Sequence, residues 1–282
     1  MEQNAVEITN LCKEYPGFLL DHVSFQVPDG CIVGLVGKNG AGKSTTLRLL
    51  LNLLKADAGK VKVFGQDMKA ANPQIFEDIG VVLDRVGLPM TLNAVQIGKV
   101  MAEAYTQWDA RQYEAYLRQF EIPTNKKFMD LSNGTQMKLG LAIAFSHKAK
   151  LLVLDEATNG LDPVVRDQVN EILMDFTREE HHSVLISSHI VSDLEKLCDY
   201  IAFLHEGKLS LFEEKDVLAN EYLLVHGRSE QIDAIPAEAV LKRRETGYGT
   251  EAVVRRESVP ADLSGERVGI EELFVIMEDK TR

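Results

Sequence analysis

The sequence predicts an α/β fold: a largely parallel sheet flanked by helices, with an antiparallel β part before it, an inserted helical subdomain and a small C-terminal αβ appendage. Three observations carry this. Gly37-Lys38-Asn39-Gly40-Ala41-Gly42-Lys43-Ser44 fits a phosphate-binding loop set between a strand-like run at 31–36 and a helix-like run at 45–54. Leu151-Leu152-Val153-Leu154 is an unbroken apolar run, suited to a strand buried on both faces, and it ends in Asp155-Glu156. Strand-like and helix-like stretches alternate through this core, the pattern of a parallel sheet whose ligands gather beyond the strands' C-terminal ends.

Taken in order, 6–9 and 20–27 alternate apolar and polar residues as strands do, with a turn at Tyr15-Pro16-Gly17. Tyr15, just upstream of the loop, offers a face for stacking on a base, although aromatics beside strands commonly just pack. In the loop itself the glycines let successive N–H groups turn inward, and the following helix points its positive end at the same spot. Lys43 supplies a cation for phosphate and the Ser44 hydroxyl a ligand for Mg²⁺. Further strands are expected at 59–64 and 80–83, with the turn Phe64-Gly65-Gln66-Asp67 after the first.

From 92 to 120 the period becomes helical. Val100 and Ala104 share a face, Tyr113, Tyr116, Leu117 and Phe120 follow helical spacing, and Asp109 with Gln112 resembles a capping box. Asp162-Pro163 supplies an N-cap and a first-turn proline for a helix over 163–179. A buried strand is expected at 183–188, with His189 immediately after it. Beyond Tyr222 short strands at 223–225 and 252–254, the turn Gly247-Tyr248-Gly249 and an amphipathic end at 273–277 suggest a small αβ unit. Its basic cluster Lys242-Arg243-Arg244 reads as ordinary solvated surface.

The 282 residues suffice for one large α/β domain and something smaller. A net formal charge of −12 gives a nucleic-acid partner no general electrostatic help. Cys12, Cys31 and Cys198 are widely spaced, which argues for reduced, mostly buried thiols in a cytosolic setting. No apolar run reaches the roughly 18 residues of a spanning helix, and Met1-Glu2-Gln3-Asn4 lacks the layout of a signal peptide.

Leu131-Ser132-Asn133-Gly134-Thr135 supplies the second decisive signal, because Ser132 can cap a helix whose free N–H groups would receive an anion. Here the sequence resembles the ATP-binding cassette family, whose signature is leucine-serine-glycine-glycine-glutamine; Asn133 and Thr135 depart from it. Phosphate loop, signature, the run 151–156, Asn159-Gly160-Leu161-Asp162 and His189 stand in the family's order over roughly 6–212. The tail Glu271-Glu272-Leu273-Phe274 looks like that of bacterial exporter ATPases. The resemblance implies a P-loop NTPase (RecA-like) core at 1–84 and 148–217, a helical subdomain at 85–147 and an accessory unit at 218–282.

It also implies roles. ATP would be held by Tyr15, by Gly37 to Thr45 of the loop, and by Ser132, Asn133, Gly134 and Asp162; Mg²⁺ by Ser44 and Asp155; Glu156 would activate the attacking water and His189 bond the γ-phosphate. His147, His181 and His182 gain no role and read as helix-end or loop residues. Asp84 stands where the family has a glutamine: a direct Mg²⁺ ligand, a rewired sensor and a plain surface acid all remain open. Because loop and signature lie on different subdomains, the family closes two such chains head to tail on ATP, as a homodimer or with a paralogue. The expected partners are integral membrane permease subunits, contacted through 86–92, at the cytoplasmic face of the membrane; the cargo would be a drug, peptide or toxin. A soluble cassette acting on ribosomes or nucleic acid usually carries tandem cassettes or a long inserted coiled coil, and neither is seen here. Against a regulatory nucleotide-binding module without turnover stand Glu156 and His189.

Overall fold

A computed structural model describes residues 4–84 and 86–279. Met1, Glu2 and Gln3, which entered the signal-peptide reading, and the outer ends of the expected units at 1, 85 and 282 lie outside the described residues. Three sheets organise the chain. The first pairs β1 (Asn4–Tyr15) and β2 (Phe18–Pro28) with β4 (Ala58–Val63) and the two-residue β5 (Gln66–Asp67), all antiparallel, in the order β2-β1-β4-β5. Between its members run β3 (Ile32–Val36) and α1 (Lys43–Leu50). The helix starts two residues earlier than expected and ends earlier too, since Asn52 takes a left-handed backbone (φ 55°) that stops it.

The chain continues through β6 (Ile79–Val82), α2 (Ala94–Ala104), α3 (Ala110–Gln119), α4 (Asn133–Ala144), β7 (Leu151–Asp155), α5 (Pro163–Phe176), β8 (Ser183–Ser188), α6 (Val191–Leu197), β9 (Tyr200–His205) and β10 (Lys208–Glu214). Six of these strands form the central sheet in the order β10-β9-β3-β8-β7-β6, parallel except for the edge strand β10. Residues of this sheet alternate between two cores. Leu152, Leu154, Val184, Ile186 and Phe203 pack among the helices, while Leu151, Val153, Leu185 and Leu204 pack against α1 and the first sheet. That is why the run 151–154 shows no polar alternation: both of its faces are covered.

The last part holds α7 (Lys215–Glu221), β11 (Tyr222–Gly227), α8 (Ser229–Asp233), β12 (Val240–Thr246), β13 (Gly249–Arg255), β14 (Gly265–Arg267) and α9 (Ile270–Met277). Its antiparallel sheet runs β12-β13-β11-β14 over a small core of its own. The basic cluster lies on β12, where Arg243 pairs with Asp233 and Glu245, and Arg244 with Glu251.

Several expectations need correction. Val100 and Ala104 do share a face of α2, but it points to solvent; Ala94, Ile97 and Gly98 are the buried stripe. Asp109 caps α3 by accepting from Arg111 and Gln112 N–H, yet the reciprocal bond is missing because Gln112 turns to the Tyr116 hydroxyl; the full capping box is at Asn93 and Gln96. α5 stops at Phe176, three residues short. Of the cysteines only Cys198 is buried, its thiol pKa pushed up by that burial. His147 is a core residue, 1% exposed, stacked on Tyr105. Among the described residues, no helix is long and apolar enough to cross a membrane.

Candidate functional site

Parallel strands deliver their C-terminal ends to one edge of a sheet, and here each of those ends leads into a polar residue. β3 runs into Gly37 and the phosphate loop, β8 into His189, β7 into Asp155-Glu156 and β6 toward Asp84, with Val36 in register with Ser188, Asp155 with Ser187 and Val82 with Leu154. Above this edge opens a cleft of about 1210 Å³, ample for a nucleotide. It is lined by Lys38, Asn39, Gly40, Gly42, Lys43, Ser44, Thr45, Asp84, Asn133, Glu156, Asn159, Gly160 and His189, among others.

Two glycines of the loop are required by close approach. A Cβ on Gly37 would lie 2.3 Å from the Leu204 carbonyl oxygen, and one on Gly42, whose φ is 110°, would meet Leu20 and Phe18 at 2.9 and 3.0 Å. With the loop thus pressed against β9 and β2, the buried Lys43 ammonium donates to the carbonyl oxygens of Gly37 (2.6 Å) and Lys38 (3.4 Å). Its third partner is the Glu156 carboxylate at 3.3 Å. The other oxygen of Glu156 accepts from His189 Nδ1 at 2.6 Å. Lys43, Glu156 and His189 therefore form one continuous chain of charge-assisted contacts, drawn from the ends of three different strands.

Glu156 holds a left-handed backbone (φ 52°), uncommon for a residue with a long side chain, and its N–H is tied to the Ser187 carbonyl at 3.1 Å. The kink lets adjacent carboxylates point differently. Asp155 is fully buried: one oxygen accepts from the Ser187 hydroxyl at 2.6 Å, and the other has no hydrogen-bond partner among the described residues. A buried carboxylate oxygen left unpaired is costly. A hard cation fits that oxygen, and with the Ser44 hydroxyl on the cleft wall the donor set is the all-oxygen kind that suits Mg²⁺.

Other candidates fall elsewhere. Tyr15 lines a separate shallow hollow with Lys13 and Asp57, the Lys13 ammonium lying 5.6 Å from its ring centroid; the aromatics on the main cleft are Phe18 and Phe128, with Gly17 shared by both hollows. Ala41, within the loop, is buried and does not line the cleft. Ser132 caps α4, its hydroxyl accepting from Thr135 N–H at 3.2 Å, and is exposed outside the cleft. Gly134 sits against the Gly160 carbonyl, which a Cβ would approach to 2.9 Å. Asp162 caps α5 through Val165 N–H and reaches Lys138 at 3.7 Å; these contacts hold its carboxyl below the usual range. Asp84 pairs with Arg48 of α1 at 3.1 Å.

Sequence reasoning missed Phe18 and Arg48 as parts of the site. Phe18 opens β2 directly after the Gly17 turn, which was the available signal; Arg48 lies one helical turn beyond Ser44, on a face that periodicity alone does not aim.

Comparison with known proteins agrees with the geometry. The ABC transporter family model matches residues 20–159. The bacitracin transport ATP-binding protein BcrA of Bacillus licheniformis is 33% identical, the match covering 72% of this chain and 68% of that protein. The lantibiotic transport ATP-binding protein SrtF of Streptococcus pyogenes is likewise 33% identical, over 75% of this chain and 91% of its own. Among solved structures, an ATP-binding subunit of an ABC transporter superposes with a TM-score of 0.68 at 25% identity, covering 76% of this chain and 91% of that one. Motif order, strand-end geometry and these relatives agree that this chain belongs to the ABC transporter family, as one of its ATP-binding, ATP-hydrolysing proteins.

Proposed function

We propose that this chain powers a bacterial exporter from the cytoplasmic face of the membrane, dimerising head to tail on ATP and driving separate permease subunits. The observation that carries the reading is the Lys43–Glu156–His189 chain of contacts at the mouth of the phosphate loop. In this reading loop N–H groups and Lys43 hold the β- and γ-phosphates. Glu156 orients a water for in-line attack and accepts its proton as the bond from the γ-phosphorus to the β-phosphate oxygen breaks. His189 donates to the γ-phosphate and steadies the charge that develops there. Ser44 and Asp155 would hold Mg²⁺, which supplies charge neutralisation between the phosphates. Glu156 is already near both partners, so binding would reorder contacts rather than assemble them.

Ser132 to Gly134 are proposed to meet the phosphates of a second chain, either a copy or a paralogue, because Ser132 is exposed and does not line its own chain's cleft. The division into a core at 1–84 and 148–217, a helical subdomain at 85–147 and an accessory unit at 218–282 is supported by the sheets, two of which fall in the core and the third in the accessory unit, while the strands of all three lie outside 85–147. Val86, Leu88 and Met90, beside Asp84, form an apolar margin suited to a helix of the permease; Met90 is 56% exposed. No nucleic-acid partner is proposed. Bacitracin and lantibiotic transport among the relatives favours a drug-like or peptide cargo.

The test is Glu156→Gln. Hydrolysis should fall about 10²- to 10⁴-fold, the range for loss of a general base, while ATP is still bound and a dimer becomes visible by light scattering. Unchanged turnover would overturn the assigned mechanism, and a Leu88→Glu chain that still assembled with its permease would overturn the docking margin.

A further inference from the structure

The last described turn of the molecule touches the first functional loop. Glu278, directly after α9, is 7% exposed, and its Oε2 meets nitrogens of two different elements: it pairs with Lys38 Nζ of the phosphate loop at 3.3 Å and accepts from His205 Nδ1 at the end of β9 at 3.1 Å. Both partners support the loop. The Lys38 carbonyl is one of the two that receive the Lys43 ammonium, and it also accepts from Ala41 N–H at 3.0 Å. The turn that follows His205 sends Gly207 N–H to the Ala41 carbonyl at 3.1 Å.

The same helix is anchored at its other end. Ile270 N–H donates to Glu195 of α6 at 3.3 Å, and α6 is the helix entered just after His189. Phe274 stacks on Phe203 of β9 with ring centroids 6.2 Å apart. α9 thus joins the helix behind His189 to the loop that carries Lys43, and it belongs to the C-terminal part of the chain, not to the phosphate-binding core.

From this we infer that Glu278 is a positioning residue for the phosphate loop: by holding Lys38 and His205 it fixes the carbonyls that orient Lys43, and it makes ATP affinity depend on the seating of the C-terminal unit. The inference rests on the cleft being the ATP site. Glu278 touches no reacting atom, so its loss should act on binding more than on the chemical step. Because the Lys38 side chain is 62% exposed, the coupling should be moderate.

The experiment uses the full-length chain, a fluorescent ATP analogue for Kd and steady-state hydrolysis for KM and kcat. Glu278→Gln should raise Kd and KM about threefold to tenfold and change kcat less than about twofold. Lys38→Met should raise Kd as well, and adding Glu278→Gln to it should raise Kd by a smaller factor than Glu278→Gln does alone, since only the His205 contact is left to lose. Glu278→Ala replaces Glu278→Gln if the latter does not fold, melting curves deciding. Unmoved Kd in the Glu278 variants, a double-variant loss equal to the product of the two single losses, or a fall in kcat at constant KM would each overturn the inference. A wild-type chain that neither bound nor hydrolysed ATP would instead overturn the proposed function beneath it.

Discussion

Asp84 and Arg48 bring opposite charges to 3.1 Å at the edge of a phosphate cleft, where a bare carboxylate would repel the ligand. Both side chains are about 40% exposed, so the pair adds at most about 1 kcal/mol to folding. Its consequence is local: Arg48 offsets the negative charge of Asp84. If Arg48 satisfies Asp84, then Asp84→Asn should leave the Mg²⁺ concentration for half-maximal hydrolysis within about twofold, whereas Ser44→Ala should raise it at least about tenfold. Equal shifts in the two Mg²⁺ titrations would make Asp84 a ligand. The sequence made Asp84 conspicuous but could not aim Arg48 at it, because their contact depends on how α1 packs against the central sheet at β7.

At the scale of elements, α2 and α3 meet through an absence of side chain. A Cβ on Gly98 would lie 2.5 Å from Cε1 of Tyr113, whose buried hydroxyl donates to the Ala94 carbonyl at 2.8 Å and so cannot swing away. Alanine is the better helix former by about 1 kcal/mol. Overpacking costs about 1–3 kcal/mol and should win. Gly98→Ala is therefore expected to lower stability by about 1 kcal/mol in urea unfolding, and to raise it in a Tyr113→Ala background, where only propensity remains. Periodicity found Tyr113, Leu117 and Phe120 because large residues dominate a pattern; it misjudged α2 because the buried stripe is built of Ala94, Ile97 and Gly98. The β9–β10 hairpin also escaped notice, although Glu206-Gly207, both with left-handed backbone, sit between two apolar runs and mark a tight turn.

Across the whole molecule, the parallel core was legible because chemistry-bearing residues terminate its strands, each motif announcing a strand before it. Contacts between distant parts of the chain were not, and His147 shows why that matters. Nothing in its neighbourhood distinguishes it from a loop histidine, yet it is closed in between Tyr105 and the Glu77 carbonyl, to which Nδ1 donates at 3.1 Å. Its Nε2 is buried with no partner among the described residues, so the ring is neutral with its proton on Nδ1. Burial lowers its pKa from the usual 6.5, outweighing the bond to Glu77 and the nearby charges of Glu77 and Asp78 that favour protonation. The unfolded chain then binds a proton more readily than the folded one, so stability rises with pH in this range. Its full contribution is present above about 6.5, and it declines as pH falls from there toward the lowered folded value. His181 works in the opposite sense, its pKa raised by Asp29, so the wild-type curve alone is a sum. The difference between wild type and His147→Gln, which keeps a donor for Glu77, isolates the buried ring: at pH 7 the wild type should hold its advantage, and as pH falls from 6.5 toward the lowered folded value it should lose up to about 1.4 kcal/mol per pH unit relative to the variant. Parallel stability curves over that interval would mean that His147 accepts a proton as easily inside the fold as outside it.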